Sequence, residues 1–162
     1  MIVTVMSDAS FDHITQASGY GVWAKSQRGN YQAGGNFKGQ PRAAAEAEAM
    51  AVTVALFAAV RWGVAAPGDK IIMQSDCQMV IDAHNGKMKR AKRHTQLFTT
   101  VDWTKQFLEE NNLTIEFRHV RAHVPKEGKR NYINNVCDKL AKKAMRKQQK
   151  ERRKPCTTTS KP

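Results

Sequence analysis

Ile2-Val-Thr-Val-Met-Ser-Asp-Ala-Ser10 is the stretch on which the architecture turns. Apolar residues run almost unbroken from Ile2 to Met6, the composition of a strand covered on both faces in the middle of a sheet rather than half exposed at its edge. Asp8 closes the run. A carboxylate placed where a buried strand meets a loop needs a partner, because taking its charge out of water unpaired is costly. Three later acids, Glu48, Asp76 and Asp138, stand where a folded α/β domain brings the chain back to the carboxyl end of that strand.

Outward from this strand, Ser18 to Lys25 alternates as a second strand, Gln27-Arg-Gly-Asn30 turns the chain, and Tyr31 to Lys38 returns as a third. Within that third strand the Gly34-Gly35 pair predicts a bulge. Ala43 to Trp62 is the clearest helix, rich in alanine, with Val52, Leu56 and Val60 spaced at four. Glu48 lies four residues before Val52 and so near the apolar stripe, whereas Glu46 is about 200° around the helix from it. Glu48 is the inward candidate.

Gly63 and Pro67-Gly68 end the helix, and Lys70 to Ser75 follows as a short buried strand stopped by Asp76, repeating the design of the first. A strand–helix–strand passage favours a right-handed crossover, which sets strand four parallel beside strand one with both aspartates at the carboxyl edge. Carboxylates crowded there repel one another and shift toward their neutral forms. A bound divalent metal resolves the conflict.

Beyond Asp76, Cys77 to His84 predicts a short helix stopped by Asn85-Gly86. Lys87-Met-Lys-Arg-Ala-Lys-Arg93 is an exposed basic loop, read either as a phosphate contact through Lys87, Lys89, Arg90, Lys92 and Arg93 or as a soluble linker. Thr95 to Glu110 is a helix with Leu97, Val101 and Leu108 on one face, and Leu113 to Val120 is the last strand. His119 and His123 are four apart but fall on a strand end and a loop, so zinc is not expected. Residues 124–135 read as a basic, polar loop. The final helix is placed from Asn134-Asn135, with Val136, Cys137, Leu140, Ala141, Ala144 and Met145 as its buried stripe. Asp138 then falls in the first turn, where an acid is favoured by the helix dipole without any catalytic duty. Past Gln149 no core residue remains, so the reading is a domain over 1–149 and a basic, disordered tail over 150–162.

The 162 residues suit one domain, which at this size buries roughly 68–70% of its unfolded surface. Cys77, Cys137 and Cys156 are odd in number and form no Cys-x-x-Cys pair, which argues against a disulfide framework and for a reducing, cytoplasmic setting. The longest uncharged apolar run, Ala49 to Val60, is 12 residues, too short to cross a bilayer, and strand pattern from Ile2 leaves no expectation of a signal peptide. Formal net charge is +13, of which +9 lies from Lys139 onward, where ten Lys or Arg face Glu151 alone. The remaining +4 belongs to residues 1–138. A basic tail on a near-neutral, acid-centred body points to a polyanionic partner, nucleic acid by default, or else to a solvated tail kept for solubility.

Taken in order, these pieces resemble the ribonuclease H type I family. Ser7-Asp8-Ala9-Ser10 resembles its first-strand Asp-Gly-Ser element, and Glu48-Ala-Met-Ala-Val-Thr-Val-Ala-Leu56 its helix with the second acid. Ser75-Asp76-Cys77-Gln78 is similar to Thr-Asp-Ser-Gln, Arg121-Ala122-His123 to Lys-Gly-His, and Asn134-Asn-Val-Cys-Asp-Lys-Leu-Ala141 to Asn-x-x-Cys-Asp-x-Leu-Ala. The resemblance covers residues 1 to about 147. It implies an α/β, ribonuclease H-like fold, a five-stranded mixed sheet in order 3-2-1-4-5 flanked by helices.

It also implies that Asp8, Glu48, Asp76 and Asp138 bind two Mg2+ ions, with Mn2+ as a possible substitute, and that His123 assists proton transfer or product release. Gln78 and Asn134 would contact the minor groove, with Arg42 and the basic loop as further substrate contacts. The implied reaction is endonucleolytic cleavage of RNA in an RNA–DNA hybrid by a monomer, leaving 5′-phosphate and 3′-hydroxyl ends. The chain departs from the family at Ala9, Ala44 and Ala45, which bears on substrate grip, and in lacking the basic handle helix. Another nuclease of the same superfold, a junction resolvase or exonuclease, and a non-catalytic nucleic-acid binding module are the alternatives.

Overall fold

The structure, a computed structural model, describes residues 1–120 and 132–153 in full and 129–131 as backbone. Five strands, β1 (Ile2–Phe11), β2 (Ser18–Ser26), β3 (Gly29–Gly35), β4 (Lys70–Ser75) and β5 (Thr114–His119), form one sheet in the order β3-β2-β1-β4-β5. The β1/β2 and β2/β3 pairs are antiparallel, while β1/β4 and β4/β5 are parallel. Helix α1 (Ala44–Arg61) crosses from β3 to β4, α2 (Gln78–His84) and α3 (Thr95–Glu110) join β4 to β5, and α4 (Lys129–Arg153) follows. The expected order is the one observed.

Alternation along β1 divides its side chains between two cores. Val3 and Val5, both at 0% exposure, pack with Val52, Leu56 and Leu97 from α1 and α3. Each such side chain contributes about 1.5–3 kcal/mol on burial. Met6 points to the other face and meets Cys137 of α4. The strand is therefore covered on both sides around Met6, while its second face stays open at the amino end, where Ile2 is 63% exposed, a correction to the expectation of a strand buried on both faces along its length.

Helix α4 lies unusually close to the sheet, and glycine allows it. A Cβ on Gly21 would stand 1.9 Å from the carbonyl oxygen of Cys137, and one on Gly19 2.5 Å from that of Ala141. Gly34 belongs to the same surface, with Leu140 against it. This corrects the expected bulge: β2 and β3 stay in unbroken register from Ser26↔Gly29 to Tyr20↔Gly35. Gly34 serves the approach of α4, a Cβ on Gly35 would instead meet the Tyr20 side chain, and β3 ends at Gly35 rather than Lys38.

The ends of α4 also differ from expectation. It begins at Lys129, within the stretch read as a loop, and its helical backbone continues to Arg153, beyond the tail boundary placed after Gln149. Polar contacts replace the missing apolar stripe: Gln149 Nε2 donates to Asp12 Oδ2 at 2.8 Å, Arg152 Nη1 to the Thr15 carbonyl at 2.8 Å, and Ser18 N to Gln148 Oε1 at 2.8 Å. Hydrophobic periodicity carries no trace of such anchors.

Candidate active site

Asp8 stands near the end of β1, Glu48 in the second turn of α1, and Asp76 directly after β4. Parallel pairing of β1 with β4 brings the two aspartates to one sheet edge, and α1 supplies the glutamate from above. One carboxylate oxygen from each lies within 4.8 Å of the others. This is the group of metal-ligating type among the described residues.

Few donors serve these charges. The Ala9 amide donates to Asp8 Oδ1 at 2.9 Å and to Glu48 Oε1 at 3.2 Å, while buried Glu48 Oε2 has no partner among the described residues. Burial, then the negative charges of Asp76 and Asp138, push the Asp8 carboxyl up to about 7. Burial, followed by Asp8 and Asp76, likewise raises Glu48 well above its ordinary value. An oxygen-only donor set, crowded, under-neutralised and with an orphaned buried oxygen, fits a hard divalent cation such as Mg2+.

Asp138 is placed differently. It lies in the third turn of α4 rather than the first, so the helix dipole does not account for it. It is near enough to raise Asp8, but Lys142 Nζ is 2.8 Å from both of its carboxylate oxygens, and it stays outside the cluster of three.

Glu46, assigned outward by helical spacing, is 9% exposed and accepts the Arg42 backbone N–H at 2.7 Å. The first turn of α1 is flanked by Met79 and Leu97 from neighbouring helices, which periodicity within α1 cannot register.

Of the remaining candidates, Gln78 is exposed and donates to Asp82 Oδ1 at 2.8 Å. Asn134 is buried, with Oδ1 lacking a partner among the described residues. Arg42, Lys87, Lys89, Lys92 and Arg93 are exposed. Arg90 is engaged, forming a two-pronged ion pair with Asp102 and lying 4.8 Å above the Phe98 ring. His123 lies outside the described residues. His119, considered only as a zinc ligand in the sequence, ends β5 with Nε2 3.2 Å from the Asp76 carbonyl oxygen, a neighbour of the site that the β4/β5 register explains.

The profile of the reverse transcriptase-like family matches residues 6–144. No curated protein sequence matches the chain. Among solved structures, ribonuclease H1 of the halophilic archaeon Halobacterium salinarum is 20% identical with a TM-score of 0.70, over 91% of this chain and 99% of that one. The N-terminal ribonuclease H domain of a Mycobacterium tuberculosis protein is 18% identical with a TM-score of 0.67, over 93% and 97% respectively. LC11 ribonuclease H1, from a compost metagenome and solved with an RNA/DNA hybrid, is 16% identical with a TM-score of 0.69, over 91% and 99%. At these identities the likeness is one of fold, and the fold is that of ribonuclease H.

Proposed function

Because the chain belongs to the reverse transcriptase-like family, we propose that it is a metal-dependent endoribonuclease that cuts the RNA strand of RNA–DNA hybrids, leaving 5′-phosphate and 3′-hydroxyl ends. The observation that carries this reading is the carboxylate cluster at the sheet edge, with Glu48 Oε2 buried and unpartnered. Asp8, Glu48 and Asp76 would hold divalent cations, two Mg2+ ions by preference with Mn2+ as a substitute. Asp138 would join them on releasing Lys142. Ions held in this way lower the pKa of bound water and stabilise the leaving oxygen of a phosphodiester.

The protein's own groups prepare the site. The Ala9 amide orients one oxygen each of Asp8 and Glu48. Burial makes the doubly ionised state costly and favours a proton on the pair, which a bound cation would displace. Hybrid selectivity would come from groups reading the minor groove, where 2′-hydroxyls mark the RNA strand. Gln78 is exposed for that task, and Asn134 would need to turn outward.

The test is cleavage of labelled hybrid, duplex RNA, duplex DNA and single strands, with and without Mg2+. Rapid Mg2+-dependent cutting of the hybrid's RNA strand is expected. Equal cleavage of duplex DNA would favour a resolvase, and binding without turnover a non-catalytic module.

A further inference from the structure

Helix α4 has two opposed faces. Cys137, Ala141 and the anchors Gln148 and Arg152 cluster about one bearing on the helical wheel, turned to the sheet and its loops. Lys139, Lys143, Arg146, Lys147, Lys150 and Arg153 are all exposed, and at 100° per residue they fall within about 120° of arc on the opposite side. From Lys139 to Arg153 the rise is roughly 21 Å. Among the described residues none of the six has an ion-pair partner, and the one acid of this stretch beyond Asp138, Glu151, lies past the margin of the arc.

We propose that this face of α4 is a second nucleic-acid contact, a rigid ridge that grips the phosphate backbone of a duplex without reading its bases. It starts at the level of Asp138 and runs away from the carboxylates. Its cations stand on an anchored helix, so they are pre-arranged and lose little freedom on binding. A membrane surface fits less well, because a helix lying in a bilayer interface needs a free apolar face, and that of α4 is occupied by the sheet. The inference does not rest on the proposed hydrolysis, since phosphate contact requires no metal or turnover.

The experiment compares two triple variants of the full chain with the same change in net charge. One is Lys143→Gln/Arg146→Gln/Lys150→Gln on the ridge, and the other is Lys25→Gln/Lys38→Gln/Arg61→Gln, at exposed positions off it. Binding to a hybrid and to a duplex DNA of equal length is measured in EDTA across a salt series, beside vesicles of anionic and neutral phospholipid. The ridge variant should bind both duplexes at least about tenfold more weakly at low salt, with the slope of log K against log salt smaller by about 3. The off-ridge variant should keep most of the slope. Equal losses in the two variants would reduce the effect to net charge and overturn the proposal. So would a ridge variant that lost anionic-vesicle binding while retaining duplex affinity.

Discussion

The paired strands β1 and β4 have a buried aspartate toward each end of the pair, Asp69 at one and Asp8 at the other, and the two ends are built in opposite ways. At the amino end of β4, Asp69 is 2% exposed and fully partnered, by Arg28, the Ala66 amide at 2.9 Å and the Met1 amine at 3.0 Å. Hydrogen bonding from Arg28 holds its carboxyl well below the ordinary range. At the carboxyl end, Asp8 and Glu48 share one amide, face Asp76, and are held toward their neutral forms. One sheet thus tolerates a buried carboxylate by satisfying it and keeps another unsatisfied. Satisfaction marks structure, and the persistent deficit is what the proposed cation would relieve.

Substitution should separate the ends sharply. Asp8→Asn keeps the side-chain shape but removes a charge the metal needs, and should lower Mg2+-dependent hybrid cleavage by about 10³-fold or more. In EDTA near pH 8 the same variant should melt no lower than wild type, and higher if relief of crowding dominates. Near-normal cleavage would place the chemistry elsewhere, and failure to fold would make the two ends alike.

Asp69→Asn should do the reverse. Weakening the charge-assisted hydrogen bonds from the exposed Arg28 should cost about 1–2 kcal/mol of stability, read by denaturant melting, with cleavage per folded molecule unchanged. The ends also differ in their pH response. Asp69 contributes stability that is present above its unfolded pKa and lost as pH falls through the depressed folded value. For Asp8, raised from 3.8 to about 7, the penalty is absent in acid and grows as pH rises through that window.

His84 sharpens this comparison on the acid side. It is buried, stacked on Phe117 at 4.5 Å, with Nε2 unpartnered, and burial followed by the charge of Lys105 brings its pKa down to about 4. The His84 contribution should therefore fall by roughly 2–3 kcal/mol as pH drops from 6.5 toward 4, against the opposite contribution of Asp8 over the same window. His84→Phe should remove that loss, leaving the Asp8-dependent decline as pH rises from 3.8 toward 7 unopposed by it. An unchanged acid limb in thermal melts would assign the titration to another group.

The smallest effect concerns Asp138, which stands between the two designs because Lys142 satisfies it. Partly exposed pairs of this kind are worth about 0–1 kcal/mol, so Lys142→Gln should lower the Mg2+ concentration for half-maximal cleavage by no more than a few-fold. A higher requirement would show that Lys142 assists the site rather than competing for it.

Local pattern was enough to read the element order, the central position of β1, the helix with Glu48 on its inner side, and the aspartate closing β4, whereas β1 runs on from Asp8 to Phe11. The legible features follow from apolar period and from a carboxylate ending a buried strand, both written in adjacent residues. Tertiary contact decided the rest. Gly34-Gly35 reads as weakness in a strand until Leu140 is seen against it, because a missing Cβ has no signature of its own. Glu46 is buried beside a cavity that it shares with Met79 and Leu97 of other helices, and the last turns of α4 are held by hydrogen bonds to loops more than a hundred residues away. The apolar period of a helix records only the face that meets a hydrophobic core. Where the facing surface is a glycine-lined sheet or a polar loop, nothing in the helix's own sequence announces it. For the same reason the separation of Asp138 from the other three acids had to come from the fold, where the side chain of Lys142, one turn along, competes for its charge.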